Sequence, residues 1–174
     1  LMIFYRGSAS EPSMTNLLNV VDSSDPLNIS MGNPGLEPTW NDMLRMFYNG
    51  YDATTQRGFS ANANFSQTRN SISNVMIYDQ ATGRQFTRPE NINGNWNAGA
   101  GVTYNTPLDK SKLLTLATST NARYARSVGY VSTNAAAVTS FQTPTVDQLN
   151  ALFAAANAEK NVNRTLTLGE NLDL

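Results

Sequence analysis

Charged side chains make up 14% of the 174 residues and the formal net charge is −1, against about a quarter charged in an ordinary soluble domain. The clustered basic residues that nucleic acid demands are missing, so no nucleic-acid partner is expected. The chain has no His and no Cys, which removes the commonest general base, the commonest metal ligands and any disulfide, so neither an enzyme nor a metal or cofactor site is expected.

Neutral polar residues fill the place of charge. Asn alone occurs 22 times, a composition suited to a wet lumen or a secreted surface. Mean hydropathy is −0.36 and no run of 18 apolar residues occurs, which excludes a helical membrane span. A membrane barrel stays open, because half of each barrel strand is polar and the average hides the rest.

The elements follow in chain order. Leu1-Met2-Ile3-Phe4-Tyr5 reads as the middle of a strand. A long connection is expected over 10–38. A strand over 40–51 alternates less cleanly, Leu44, Met46 and Tyr48 against Met43, Arg45 and Phe47. After a short turn, Phe59, Ala61, Ala63 and Phe65 alternate strictly with Ser60, Asn62, Asn64 and Ser66. In a strand these sets fall on opposite faces. Gln80-Ala81-Thr82-Gly83 marks the tip of a tall hairpin whose arms run over 58–79 and 84–107. On the second arm Ile92, Gly94, Trp96, Ala98, Ala100, Val102 and Tyr104 share one face, and Asn91, Asn93, Asn95, Asn97, Gly99, Gly101 and Thr103 the other. A helical period would mix the two sets.

A short turn over 106–111 leads to a third run, from Lys112 to about Ser132, with Leu114, Leu116, Ala122, Tyr124, Val128 and Tyr130 on its apolar side. Arg126 shares that register, and its position above the bilayer suggests a solvated guanidinium or a contact with lipopolysaccharide phosphate. A second long connection covers 133–160. Thr145 after Pro144 N-caps a helix expected near 145–158, read as a loop ornament, with a ligand-touching lid as the other reading. The final run sets Leu166, Leu168, Leu172 and Leu174 against Thr165, Thr167, Asn171 and Asp173. It ends within an alternating pattern, so the chain is expected to be an internal piece of a longer protein.

Lengths and composition decide between architectures. Hairpin arms of about 20 residues measure on the order of 65 Å, or about 45 Å of height at a 45° tilt. Soluble strands average about 5–6 residues. Trp40 and Tyr48, Phe59 and Phe65, and Trp96 and Tyr104 bracket three apolar faces, the pattern of two aromatic girdles around a lipid-facing belt. A β-sandwich with one buried face also alternates, but asks for more Val, Ile and Leu than Ala61, Ala63, Ala98 and Ala100 supply. The expected fold is therefore all-β: about six long antiparallel strands of an up-and-down transmembrane β-barrel, incomplete within 1–174, without a plug domain, in the bacterial outer membrane and against its lipid.

One segment carries a family resemblance. Tyr5-Arg6-Gly7-Ser8, Glu11-Pro12-Ser13, Asp22-Ser23-Ser24-Asp25-Pro26-Leu27 and Gly32-Asn33-Pro34-Gly35-Leu36-Glu37-Pro38 resemble the barrel region of TonB-dependent receptors. The likeness is greatest to the outer-membrane β-barrel family abundant in Bacteroidetes, in which Gly-Asn-Pro-x-Leu-x-Pro leads into a descending strand. Thr39 stands where the wider receptor family often has Glu. Gly32, Asn33, Pro34, Leu36 and Pro38 match that motif; the prolines remove donors and fix φ, so the segment reads as punctuation setting the next strand's register. The resemblance implies nutrient or substrate uptake driven through a TonB system, with no ligand identified. A non-transporting barrel for adhesion or scaffolding, and a secreted glycan-binding β-sandwich, are the alternatives.

Overall fold

A computed structural model describes residues 1–111, 113–134, 144–156 and 158–174. Lys112, where the third run was expected to begin, and Asn157 within the expected helix span, lie outside the described residues, as does 135–143 of the second long connection. The elements are β1 (Met2–Ser10), α1 (Met14–Leu17), β2 (Val21–Asp25), β3 (Asn28–Met31), β4 (Thr39–Asp52), β5 (Arg57–Arg69), β6 (Ser71–Asp79), β7 (Arg84–Ile92), β8 (Asn95–Pro107), β9 (Thr115–Tyr130), β10 (Thr133–Asn134), α2 (Val146–Ala155) and β11 (Lys160–Asp173).

Two sheets form. The larger is an antiparallel ribbon in the order β1-β4-β5-β8-β9-β11, six strands in an up-and-down course that does not close on itself. Its strands of 13 to 16 residues, β1 apart at 9, are long for a soluble sheet. Thirteen residues at about 3.3 Å give about 30 Å of height at a 45° tilt, the thickness of a bilayer's hydrocarbon. Residues 53–56, and 108–111 with 113–114, turn at one end. All three long connections emerge at the other.

Those connections are not loops. They assemble a second sheet, β10-β6-β7-β3-β2, in which β3 pairs with β7 and β10 with β6 in parallel. The segment expected as connection over 10–38 supplies β2 and β3, and the one over 133–160 supplies β10 and α2. Helix α2 opens on a capping box: Gln148 N donates to Thr145 Oγ1 and Thr145 N to Gln148 Oε1 (2.9 Å). It covers one face of the second sheet, and Leu149 and Phe153 join Ile29, Met31, Val75, Ile77 and Phe86 in its core. The helix expected as an ornament is thus part of the core of a small cap. Arg88 fastens it, donating Nη1 to Asn150 (3.0 Å) and lying 5.0 Å from the centre of the Phe153 ring while its other nitrogens reach Glu90.

The tall hairpin is corrected in the same way. Its arms are not continuous strands of about 20 residues. The first breaks at Asn70 (φ 52°) between β5 and β6, the second at Asn93 and Gly94 (φ 118°) between β7 and β8. Left-handed backbone cannot continue a ladder, and Asn and Gly tolerate it best. Ile92 consequently leaves the face of Trp96 and is buried in the upper part of the molecule. A Cβ on Gly94 would also lie 2.5 Å from Arg126 Nη1. Arg126 donates Nη1 to the Gly94 carbonyl at 2.8 Å, so this guanidinium braces the kink instead of merely standing in solvent.

The sandwich alternative fails on the larger sheet. Among the described residues no second layer covers its apolar face: Val102 is 42% exposed and Phe59 40%, and Ala100 is open as well. Among the described residues, facing-layer packing is found in the cap, whose core the upper end of β9 joins through Tyr130.

Candidate functional site

Cross-strand pairing puts two chemically different faces on the six-stranded ribbon, because directly opposed residues point the same way. One face runs through Leu44↔Phe65↔Ala98↔Tyr124↔Leu166 and Met46↔Ala63↔Ala100↔Ala122↔Leu168. Trp40, Tyr48, Phe59, Phe65, Trp96 and Tyr104 all stand on it. They fall into two rows. Tyr48 and Phe59 have ring centroids 5.9 Å apart with Tyr104 opposite Phe59; Phe65, Trp96 and Tyr124 stack at 6.0 and 5.0 Å. Tyr124 completes the second row although the sequence reading gave it no such part. Its place became visible only once β9 was registered against β8. Trp40 stands near the cap end, donating Nε1 to Asp42 (2.9 Å) with Arg69 6.0 Å from its ring.

Besides Asp52 at the turn end of β4, two carboxylates share this face, and neighbours satisfy both. Asp42 accepts from Tyr5 Oη (2.6 Å) and Arg69 Nη2 (2.8 Å) besides Trp40. Glu170 accepts from the hydroxyls of Thr118 (3.0 Å) and Thr120 (2.5 Å). The two Thr residues that interrupt the apolar register of β9 are therefore partners of an acid on β11.

The opposite face is polar and hollow. A depression of about 660 Å³ is lined by Arg45, Phe47, Asn62, Asn64, Asn121 and Arg123 among others. Asn and Gly alternate across its floor: Asn62 opposes Gly101, Gly101 opposes Asn121, and Asn121 opposes Gly169. Asn64 opposes Gly99, and a Cβ on Gly99 would meet Asn64 Oδ1 at 2.7 Å. Each amide lies over the space its glycine leaves, which keeps the floor low.

Between ribbon and cap lies a neck built largely of asparagines. Glu37 N donates to Asn91 Oδ1 (2.8 Å), and Asn91 Nδ2 donates to the carbonyls of Glu37 (3.0 Å) and Asn70 (2.9 Å). Asn70 N donates to Asn93 Oδ1 (2.7 Å), and Asn70 Nδ2 to Glu37 Oε2 (2.7 Å). Val128 N donates to Asn95 Oδ1 (2.6 Å) and Tyr130 Oη to the Asn91 carbonyl (3.1 Å). An amide can accept and donate at once, so it closes a junction where two ladders diverge and leave backbone groups unpaired. The sequence reading assigned Asn91, Asn93 and Asn95 to the polar side of one strand; their repetition was the available signal.

The Gly32–Pro38 motif feeds this neck. Asn33 N donates to the Asn16 carbonyl (2.6 Å), its Oδ1 accepts from Gly35 N (3.0 Å), and its Nδ2 donates to the Pro89 carbonyl (3.0 Å). Leu36 is buried, and Pro38 lies beside Trp40, Asn70 and Asn93 at the neck. Upstream, Asp22 and Asp25 make Asx turns with Ser24 N (3.0 Å) and Leu27 N (2.9 Å). At the hairpin tip, the Thr82 hydroxyl and the Ala81 N–H hold the Asp79 carboxyl below its ordinary pKa, against the opposing effect of burial.

Asn70→Ala is expected to loosen the neck by about 2–3 kcal/mol, combining a left-handed φ that Ala resists with the lost Glu37 bond. Asn70→Gly, which relieves the φ and removes only the side-chain bonds, should lose clearly less. Hydrogen exchange of 70–94 reads the difference; equal losses would show that φ contributes nothing.

Among the described residues no group of three or more His, Cys, Asp or Glu is placed to hold a metal ion. A family model described as the outer membrane protein beta-barrel family matches residues 2–174. No curated protein and no solved structure matches the chain.

Proposed function

The chain belongs to the outer membrane protein beta-barrel family and lies in the bacterial outer membrane; on that premise we propose that it forms one wall of an uptake barrel of the TonB-dependent receptor type, in the branch abundant in Bacteroidetes. Its role is binding and passage, without catalysis. The apolar face with its two aromatic rows meets lipid, the polar hollow faces the lumen, the cap stands outside the cell and the short turns reach the periplasm. The observation that carries this reading is the asymmetry: three long connections knit into one cap at a single end, while residues 53–56, and 108–111 with 113–114, turn tightly at the other. Barrels of this class show that division between external loops and periplasmic turns. The Gly32–Pro38 resemblance supports the receptor branch.

Orientation is directly testable because the chain has no Cys. Leu27→Cys in the cap and Leu113→Cys in the short turn both replace exposed side chains. In intact cells a membrane-impermeant maleimide should label the first and reach the second only after the outer membrane is permeabilised. The reverse pattern would reject the proposed orientation. For uptake itself, deletion of the protein should abolish protonophore-sensitive accumulation of at least one nutrient in a radiolabelled panel. Undiminished uptake of every nutrient with lost surface attachment would instead assign it to the non-transporting barrels.

A further inference from the structure

We infer that the polar face of the ribbon is an oxyanion site, whose ligand is a small solute bearing carboxylate, sulfate or phosphate groups held between Arg45 and Arg123. The inference deepens the uptake reading and rests on that face being luminal.

One row of paired residues runs Arg45↔Asn64↔Gly99↔Arg123 across β4, β5, β8 and β9. Three strand spacings separate the two arginine backbones by about 14 Å. The two arginines flank a centre kept low by Asn64 lying across Gly99. Both arginines line the same hollow of about 660 Å³. Neither Arg45 nor Arg123 forms an ion pair among the described residues, where Arg69–Asp42 and Arg88–Glu90 do.

The charge on this face is one-sided. Arg6, opposite Met43, stands diagonal to Arg45, which is opposite Phe4. The single acid in the same register of the ribbon is Asp173, at the far end of β11 and opposite Ala117. Like charges on neighbouring strands repel unless something neutralises them, and guanidinium is the side chain best matched to oxyanions, two N–H groups to two oxygens. The floor adds Asn62, Asn64 and Asn121 as hydrogen-bond partners, and Phe47 and Met43 offer an apolar flank to a carbon skeleton. A neutral or cationic solute would leave the arginines unanswered.

The test uses the full chain refolded in zwitterionic micelles, titrated with citrate and with inorganic sulfate, with maltotriose, spermidine and an acidic hexapeptide as comparisons. Calorimetry and the Arg Nε resonances report binding. Citrate and sulfate should bind and shift the Arg45 and Arg123 signals. The double variant Arg45→Gln/Arg123→Gln should weaken binding at least tenfold. The pair Arg45→Lys/Arg123→Lys should regain part of it, which a merely misfolded variant could not. Arg164→Gln, on the other face, should bind as the parent does. No oxyanion binding by the folded parent, binding that survives the double Gln variant, or binding of the acidic peptide with none of citrate or sulfate would each overturn the inference, the last in favour of a polypeptide occupant. Failure here with correct maleimide labelling and intact energised uptake would remove the anion site and leave the uptake reading standing.

Discussion

Gly32→Ala is expected to detach the first connection from the cap and to cost about 3 kcal/mol, at the upper end of what overpacking usually does. The reason is space. A Cβ at Gly32 would press into the Leu18 carbonyl and lie 2.8 Å from the Asn16 carbonyl oxygen. Both obstacles are backbone, so no rotamer change relieves them. The Asn33 N–H bond to that same Asn16 carbonyl, 2.6 Å, must then lengthen, and with it the tie from Asn33 to the Pro89 carbonyl. Gly32 has no left-handed φ, so the effect is steric. Gly129→Ala serves as the control, since nothing lies within 4 Å of its added Cβ. Hydrogen exchange over 14–38 should rise sharply in the first variant and stay near the parent in the second. Equal protection in both would show that the tight seat of this motif has no energetic consequence.

Phe86→Ala should have the largest effect of any single truncation, about 3–5 kcal/mol, through lost burial and the cavity left behind. Phe86 is 1% exposed at the centre of the cap, with Ile77 opposite it on β6 and Ile29 on β3. Among the described residues the cap core has seven buried side chains, so the loss is a large share of what holds α2, β3 and β7 together. The ribbon draws on other sources: its own ladders and the aromatic rows. Cap protection should therefore collapse while hydrogen-exchange protection over 57–69 and 95–107 of the ribbon persists. Ile77→Val at the same core should cost only about 1 kcal/mol. Simultaneous loss of protection in cap and ribbon in Phe86→Ala would mean that the two unfold as one unit.

The ribbon was legible because its two faces differ in chemistry. Alternation at 59–66 and 95–104 follows directly from the period of a strand, and the sparing use of Val, Ile and Leu beside abundant Ala told against a second protein layer. The six aromatic positions read from sequence stand on one face for the same reason: parity alone assigns them. The capping box at Thr145 and Gln148 is likewise local chemistry, so the helix could be found.

The cap could not be read, and the physical cause is specific. The break between ribbon and cap inserts Arg69 and Asn70 on one arm opposite Asn93 and Gly94 on the other. Two residues on each side preserve parity, so Ile92 still matches Trp96 in sequence while lying buried on the cap side of the break. A positive φ at Asn70 leaves no mark in a chain already rich in Asn. The parallel pairing of β3 with β7 and the seating of Leu149 and Phe153 over Phe86 join segments more than 50 residues apart, and nothing local specifies such partners. Sequence by itself determined a two-faced ribbon of bilayer height. Only the tertiary structure decided that its long connections pack together, because burial of a shared apolar core depends on which segments meet and not on the periodicity of any one of them.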